Sequence, residues 1–136
     1  MTAIEVRYEG ELRCLATHGP TGATLTTDAP PDNQGLGRCF SPTDLLATSL
    51  GTCVLTVMGI VAERNGWPFK GTTATVTKEM VADPNRRVGR LTVEIRVPGD
   101  WNERQRASLE RAARTCPVTN SLREGIEDPV QFAWGA

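Results

Sequence analysis

From Leu45 to Ala62 the chain reads LLATSLGTCVLTVMGIVA, with no charged side chain anywhere in the run. No other feature constrains the fold as much. A helix that is apolar along one stripe can lie on a sheet, but a helix uncharged all round has no face suited to water and must be enclosed. The start is well signalled: Ser41 can cap, Pro42 fits the first helical position, and Asp44 stands where a capping-box acid would sit. Asn65-Gly66 supplies the stop, so at ~1.5 Å per residue this is the longest element, roughly 35 Å.

The run reaches the lower edge of a membrane span. Against that reading, Thr48, Ser49, Gly51, Thr52, Thr56 and Gly59 dilute it, Asp44 and Glu63 bracket it, and no second span or aromatic belt accompanies it. Burial in protein is the alternative. A chain of 136 residues is the size of one domain, residues 1–136 throughout. Its single six-stranded sheet would cover one side of the helix, and a short second helix cannot cover the other. Residues 48, 52, 56 and 59 are all small and lie three or four apart, so a second backbone could approach along that stripe. The expectation is an obligate homodimer with this helix near its middle; the competing reading is one domain wrapped around its own helix.

Around the helix the pattern alternates with period two. Ile4, Val6 and Tyr8, then Leu12, Cys14 and Ala16, predict a hairpin, and residues 23–26 a short third strand. A polar loop from Asp28 to Phe40 leads into the helix. Beyond it, Ala74, Val76 and Met80 and then Leu91, Val93, Ile95 and Val97 predict two strands turned at Asp83-Pro84-Asn85-Arg86. Asp100 and Glu103 open a second helix with Leu109, Ala112 and Ala113 on its apolar stripe; it ends at Cys116-Pro117. A helical turn through Leu122 and a strand with Val130, Phe132 and Trp134 close the chain. The order β-β-β-α-β-β-α-β predicts an α+β fold with an antiparallel sheet and no need for parallel crossovers.

Charged residues make up 23% of the chain, net charge is −1, and Lys and Arg are scattered, which excludes the electrostatic footprint of a nucleic-acid or anionic-lipid binder. The N-terminus carries no basic region followed by an apolar run, so a cytoplasmic location is expected. There, a cysteine pair that oxidises is more often catalytic or sensing than structural. The cysteines at 14, 39, 53 and 116 form no CxxC, and one histidine, His18, leaves no zinc ligand set. Cys53 lies at helical spacing from Leu45, Leu46 and Leu50, as a small core hydrophobe would. Cys116 precedes Pro117 and would cap the turn PVTNSL, where partial positive charge favours thiolate. Local sequence thus nominates Cys116 as the more acidic of the two. If they meet in the fold, a thiolate could attack a peroxide, form a sulfenic acid and condense with its neighbour to a disulfide.

FSPTDLLATSLGTC, residues 40–53, together with CPVTNSL, residues 116–122, resembles the osmotically inducible protein C and organic hydroperoxide resistance (OsmC/Ohr) family. The resemblance implies an OsmC-like fold in which sheets wrap long central helices in an intertwined homodimer, with a site at each end of the interface. It implies reduction of organic hydroperoxides with recycling by a small or lipoyl dithiol, and no bound cofactor or metal. It makes Cys53 the peroxidatic cysteine and Cys116 the resolving one, reversing the local nomination. Characterised members carry an arginine in the early turn and a glutamate early in the central helix. Here the turn reads HGPTG, without arginine, and the acid is Asp44, nine residues before Cys53. Arg38 or His18 is the candidate cation, and an Arg–Asp pair could hold a guanidinium against the thiolate. His18, Phe40 and Leu50 are the expected substrate contacts. A sensing module, or one binding a small hydrophobic ligand with little turnover, is the alternative on the same fold.

Overall fold

The computed structural model describes residues 1–135. The chain divides into two compact units, Met1–Leu46 and Ala47–Ala136.

The first unit is an antiparallel meander of β1 (Ile4–Gly10), β2 (Arg13–His18) and β3 (Thr24–Asp28). The turn between β1 and β2 is tight, with Gly10, Glu11 and Leu12 all at positive φ. Leu12 therefore leaves the strand face on which alternation placed it and is 44% exposed. Register sets Tyr8, Cys14 and Thr27 in one row and Arg13 opposite Asp28 on the other face. The row-mates Ile4, Val6 and Tyr8 are each more than 60% exposed, so this sheet carries an apolar face open to water. That face continues into a cleft of about 270 Å³ lined by Tyr8, Leu12, Cys14, Thr27, Ala29 and Pro30, among others. After β3 the chain makes a single 3-10 turn, Pro31–Asn33. It folds back closely enough that a Cβ on Gly35 would collide with the Ala29 carbonyl oxygen.

α1 spans Pro42–Asn65, with the limits its signals predict. Ser41 N–H donates to Asp44 Oδ2 at 2.9 Å and Asp44 N–H to Ser41 Oγ at 3.1 Å, the reciprocal bonds of a capping box. The helix is long and apolar enough by length and composition to cross a membrane, with mean hydropathy 2.0 over its most apolar window, of which 33% is buried.

In the second unit α1 lies with a sheet of β4 (Thr73–Val81), β5 (Arg87–Val97) and β6 (Val130–Trp134), ordered β4-β5-β6. Leu50, Val54, Met58 and Ala62, four residues apart, form its buried stripe, and Gly51 lies so near β4 that an added Cβ would stand 2.8 Å from Val76 Cγ2. Val88, Leu91, Val93, Ile95 and Val97 of β5 are all buried. The step of three from Val88 to Leu91 breaks strict alternation because a register shift at Glu79/Met80 inserts Gly89 as an extra residue.

Two expectations are corrected here. The strands form two three-stranded sheets, not one of six, because each set pairs with its own sequence neighbours. And β6 pairs with β5 in parallel, Ile95 opposite Phe132. Between them run α2 (Glu103–Ala113) and the short α3 (Pro117–Ser121), which return the chain to the end where β5 began; a helical crossover of this kind yields parallel strands. The cap of α2 is Asn102 rather than Asp100: its side chain accepts from Gln105 N–H, and Gln105 reciprocates. Leu109, Ala112 and Ala113 are buried as the stripe predicts.

Candidate active site

All four cysteines are free thiols, and two of them are brought together in the second unit. Cys53 sits in the fourth turn of α1 on its half-buried flank. Cys116 is fully buried at the junction of α2 and α3. Pro117 cannot continue the ladder of α2 but suits a first helical position, so the chain restarts there with Cys116 as N-cap in extended conformation. The Cys116 sulfur does the work a serine or threonine does at other caps. It accepts from Thr119 N–H at 3.3 Å, and the Thr119 hydroxyl lies 3.1 Å from it.

Burial is the largest influence on Cys53 and raises its pKa above the ordinary thiol value. The Val118 backbone N–H opposes this by hydrogen bonding to the sulfur, and the adjacent Cys116 thiol adds to the rise. The first turn after Pro117 therefore serves both sulfurs, Val118 for Cys53 and Thr119 for Cys116. A thiol with a raised pKa is largely protonated at neutral pH, whereas reaction with a peroxide needs the thiolate. Juxtaposed free thiols can nonetheless be oxidised to a disulfide by a two-electron oxidant such as a peroxide and returned to thiols by an external dithiol.

Arg38 and its surroundings belong to the first unit. Its guanidinium donates to Asp28 through Nε at 2.7 Å and Nη2 at 3.1 Å, and its backbone N–H donates to the same carboxylate at 2.9 Å. Arg13 Nε adds a fourth bond at 3.1 Å. Asp28 is only 1% exposed. The bonds from Arg38 outweigh the cost of burial and hold its carboxyl at about 2, while the carboxylate in turn raises Arg38. An Arg–Asp pair is thus present, but the acid gripping Arg38 is Asp28, and Asp44 helps to close the α1 cap. His18 Nδ1 is 2.7 Å from Thr21 Oγ1 within its own turn. Phe40 is 54% exposed, while Leu50 is 1% exposed because α1 turns it onto the Val54–Met58 stripe.

The OsmC-like protein family model matches residues 34–127, which include α1, both strands of the β4–β5 hairpin and the Cys116 cap. The chain belongs to the OsmC-like family. A protein of Psychrobacter arcticus 273-4, described as an osmotic stress induced and detoxification response protein, is 44% identical with a TM-score of 0.92, over 98% of this chain and 96% of that one. An organic hydroperoxide resistance protein OsmC from Legionella pneumophila, 16% identical, superposes with a TM-score of 0.78 over 98% and 96% of the two chains. An OsmC-like protein from Mycoplasma pneumoniae, 15% identical, gives 0.83 over 100% and 98%. The last two bear on the fold alone. No curated protein sequence matches the chain.

Three parts of this OsmC-like protein's polar framework escaped the sequence. Asp28 looks like the first residue of a loop, and only strand register sets Arg13 across from it. Val118 acts through its backbone and leaves no mark on residue type. Thr119 did leave a signal, since it stands three residues after a cap, where N-cap side chains find their donor.

Proposed function

We propose that this protein is a thiol-dependent peroxidase that reduces organic hydroperoxides through Cys53 and Cys116. The observation that carries the reading is the pair itself: two free thiols, distant in sequence, adjacent in the second unit. In the first step the Cys53 thiolate attacks the outer peroxide oxygen, giving Cys53 sulfenic acid and the alcohol. In the second the Cys116 sulfur attacks that of Cys53, the S–O bond breaks, water leaves and a disulfide forms. An external dithiol, of the lipoyl type, exchanges with the disulfide and restores both thiols. Family membership supports a peroxide-related redox role, as does the description of the Psychrobacter relative as a detoxification protein.

Because burial raises Cys53, the reaction needs a cation at the thiolate. Arg38 is the proposed cation on the family resemblance of the sequence; within the first unit Asp28 fixes its guanidinium by two side-chain bonds, whereas His18 is engaged with Thr21. Working as a homodimer would supply the cover that α1 lacks. Thr48, Thr52, Thr56 and Ile60 are exposed at four-residue spacing along it, and Ile4, Val6 and Tyr8 present a second apolar surface.

The test is consumption of cumene hydroperoxide with dihydrolipoamide, comparing wild type with Cys53→Ser and Cys116→Ser. Turnover that exceeds free dithiol in wild type and vanishes in both variants is expected. A wild type no faster than free dithiol, yet able to form the 53–116 bond, would instead favour a sensor. The raised pKa of Cys53 is the observation on that side.

A further inference from the structure

We infer that Thr119 is the positioning residue for the resolving cysteine, its hydroxyl and backbone N–H together holding the Cys116 sulfur against Cys53. The inference rests on the two-cysteine cycle proposed above. The cycle needs Cys116 to be buried yet aimed, and burial alone does not aim a thiol, because rotation about the Cα–Cβ bond sweeps the sulfur through three staggered positions. Two bonds from one residue select one of them. Thr119 N–H lies 3.3 Å from the Cys116 sulfur and Oγ1 lies 3.1 Å from it. The N–H bond is fixed by the backbone of the turn. The hydroxyl can reverse its role, accepting from the thiol and donating to the thiolate.

That reversal matches the condensation step. As the Cys116 sulfur attacks Cys53 it gives up a proton, and the departing hydroxide on the Cys53 sulfur takes one up to leave as water. Thr119 Oγ1 contacts the sulfur that loses the proton, so it can follow the change of charge without a change of rotamer. Thr119 is half-buried, which keeps competing water scarce around that bond.

Thr119→Val keeps the branched shape and removes the hydroxyl, and Thr119→Ser keeps the hydroxyl. Both are made with Cys14→Ser and Cys39→Ser, so that only the pair reacts. In the first measurement one equivalent of cumene hydroperoxide is added, and sulfenic acid is trapped with a dimedone reagent and followed by mass spectrometry. Thr119→Val is expected to oxidise at Cys53 at the parent rate but to condense about fivefold more slowly, the scale of one lost hydrogen bond. Thr119→Ser should restore the parent rate.

The second measurement uses no peroxide. Cys53 is converted to a mixed disulfide with 4,4′-dithiodipyridine, and attack by Cys116 then releases a second thiopyridone, read by absorbance. The same order, Ser equal to parent and Val slower, is expected. Condensation and thiopyridone release in Thr119→Val at the parent rate would overturn the inference, as would Thr119→Ser being as slow as Thr119→Val. Absence of sulfenic acid in the parent together with a Thr119 effect on thiopyridone release would instead remove the peroxidase reading and leave the positioning role standing.

Discussion

At the scale of single residues, the chemistry turns on how the fold treats one thiol. Burial raises Cys53, so its thiolate fraction at neutral pH is below that of the same cysteine in the unfolded chain. Alkylation of Cys53 by iodoacetamide, read by peptide mass spectrometry, is therefore expected to accelerate with pH and still to be rising above pH 9, the usual thiol value. Arg38→Ala is expected to slow Cys53 oxidation by cumene hydroperoxide about tenfold or more, the scale of a lost charge-assisted hydrogen bond. Equal rates in wild type and variant would remove Arg38 from the mechanism. The two cysteines were legible as a pair only through the family resemblance of the segments around them, FSPTDLLATSLGTC and CPVTNSL, because local helix and turn signals place each cysteine on its own element and say nothing of contact between them. Asp28 was not. Its significance comes from a cross-strand register with Arg13 and from a loop that folds Arg38 back onto it, and neither is a local property.

Among the elements, what the sequence made plain was what period and caps govern. The limits of α1, the apolar face of β5 and the buried stripe of α2 all follow from local pattern. Sheet membership and the direction of β6 did not, since strand partners are chosen by connections of unspecified geometry. Two elements yield further expectations. The Asp28 carboxyl, held at about 2 instead of 3.8, stabilises the folded state above roughly the higher value, and that contribution is lost as pH falls toward the lower one. The urea midpoint of wild type should thus drop between pH 4 and pH 2 more steeply than that of Asp28→Asn, which should already be lower at pH 7. In the second unit, Gly51→Ala gains up to about 1 kcal/mol of helix propensity. It also drives a methyl to 2.8 Å from Val76 Cγ2, a stiff branched side chain. Overpacking of that kind costs about 1–3 kcal/mol, so net destabilisation near 1 kcal/mol is expected by urea denaturation, with partial recovery in Gly51→Ala/Val76→Ala.

For the molecule as a whole, the decisive quantity is how much of α1 the chain itself can cover. Only a third of its most apolar window is buried. Sedimentation should give a dimer, and Thr52→Glu, which sets a charge in the middle of the exposed stripe, should give monomers or insoluble protein. A wild-type monomer at micromolar concentration would end the dimer proposal. The threonines on that stripe have a particular disposition: Thr52 Oγ1 donates to the Thr48 carbonyl at 2.9 Å and Thr56 Oγ1 to that of Thr52 at 2.7 Å. Hydroxyls whose protons are already given to their own backbone offer an approaching surface no donor to read, so fidelity of mating would rest mainly on contour. Thr52→Val, which keeps the contour and deletes the oxygen, should then associate as the parent does.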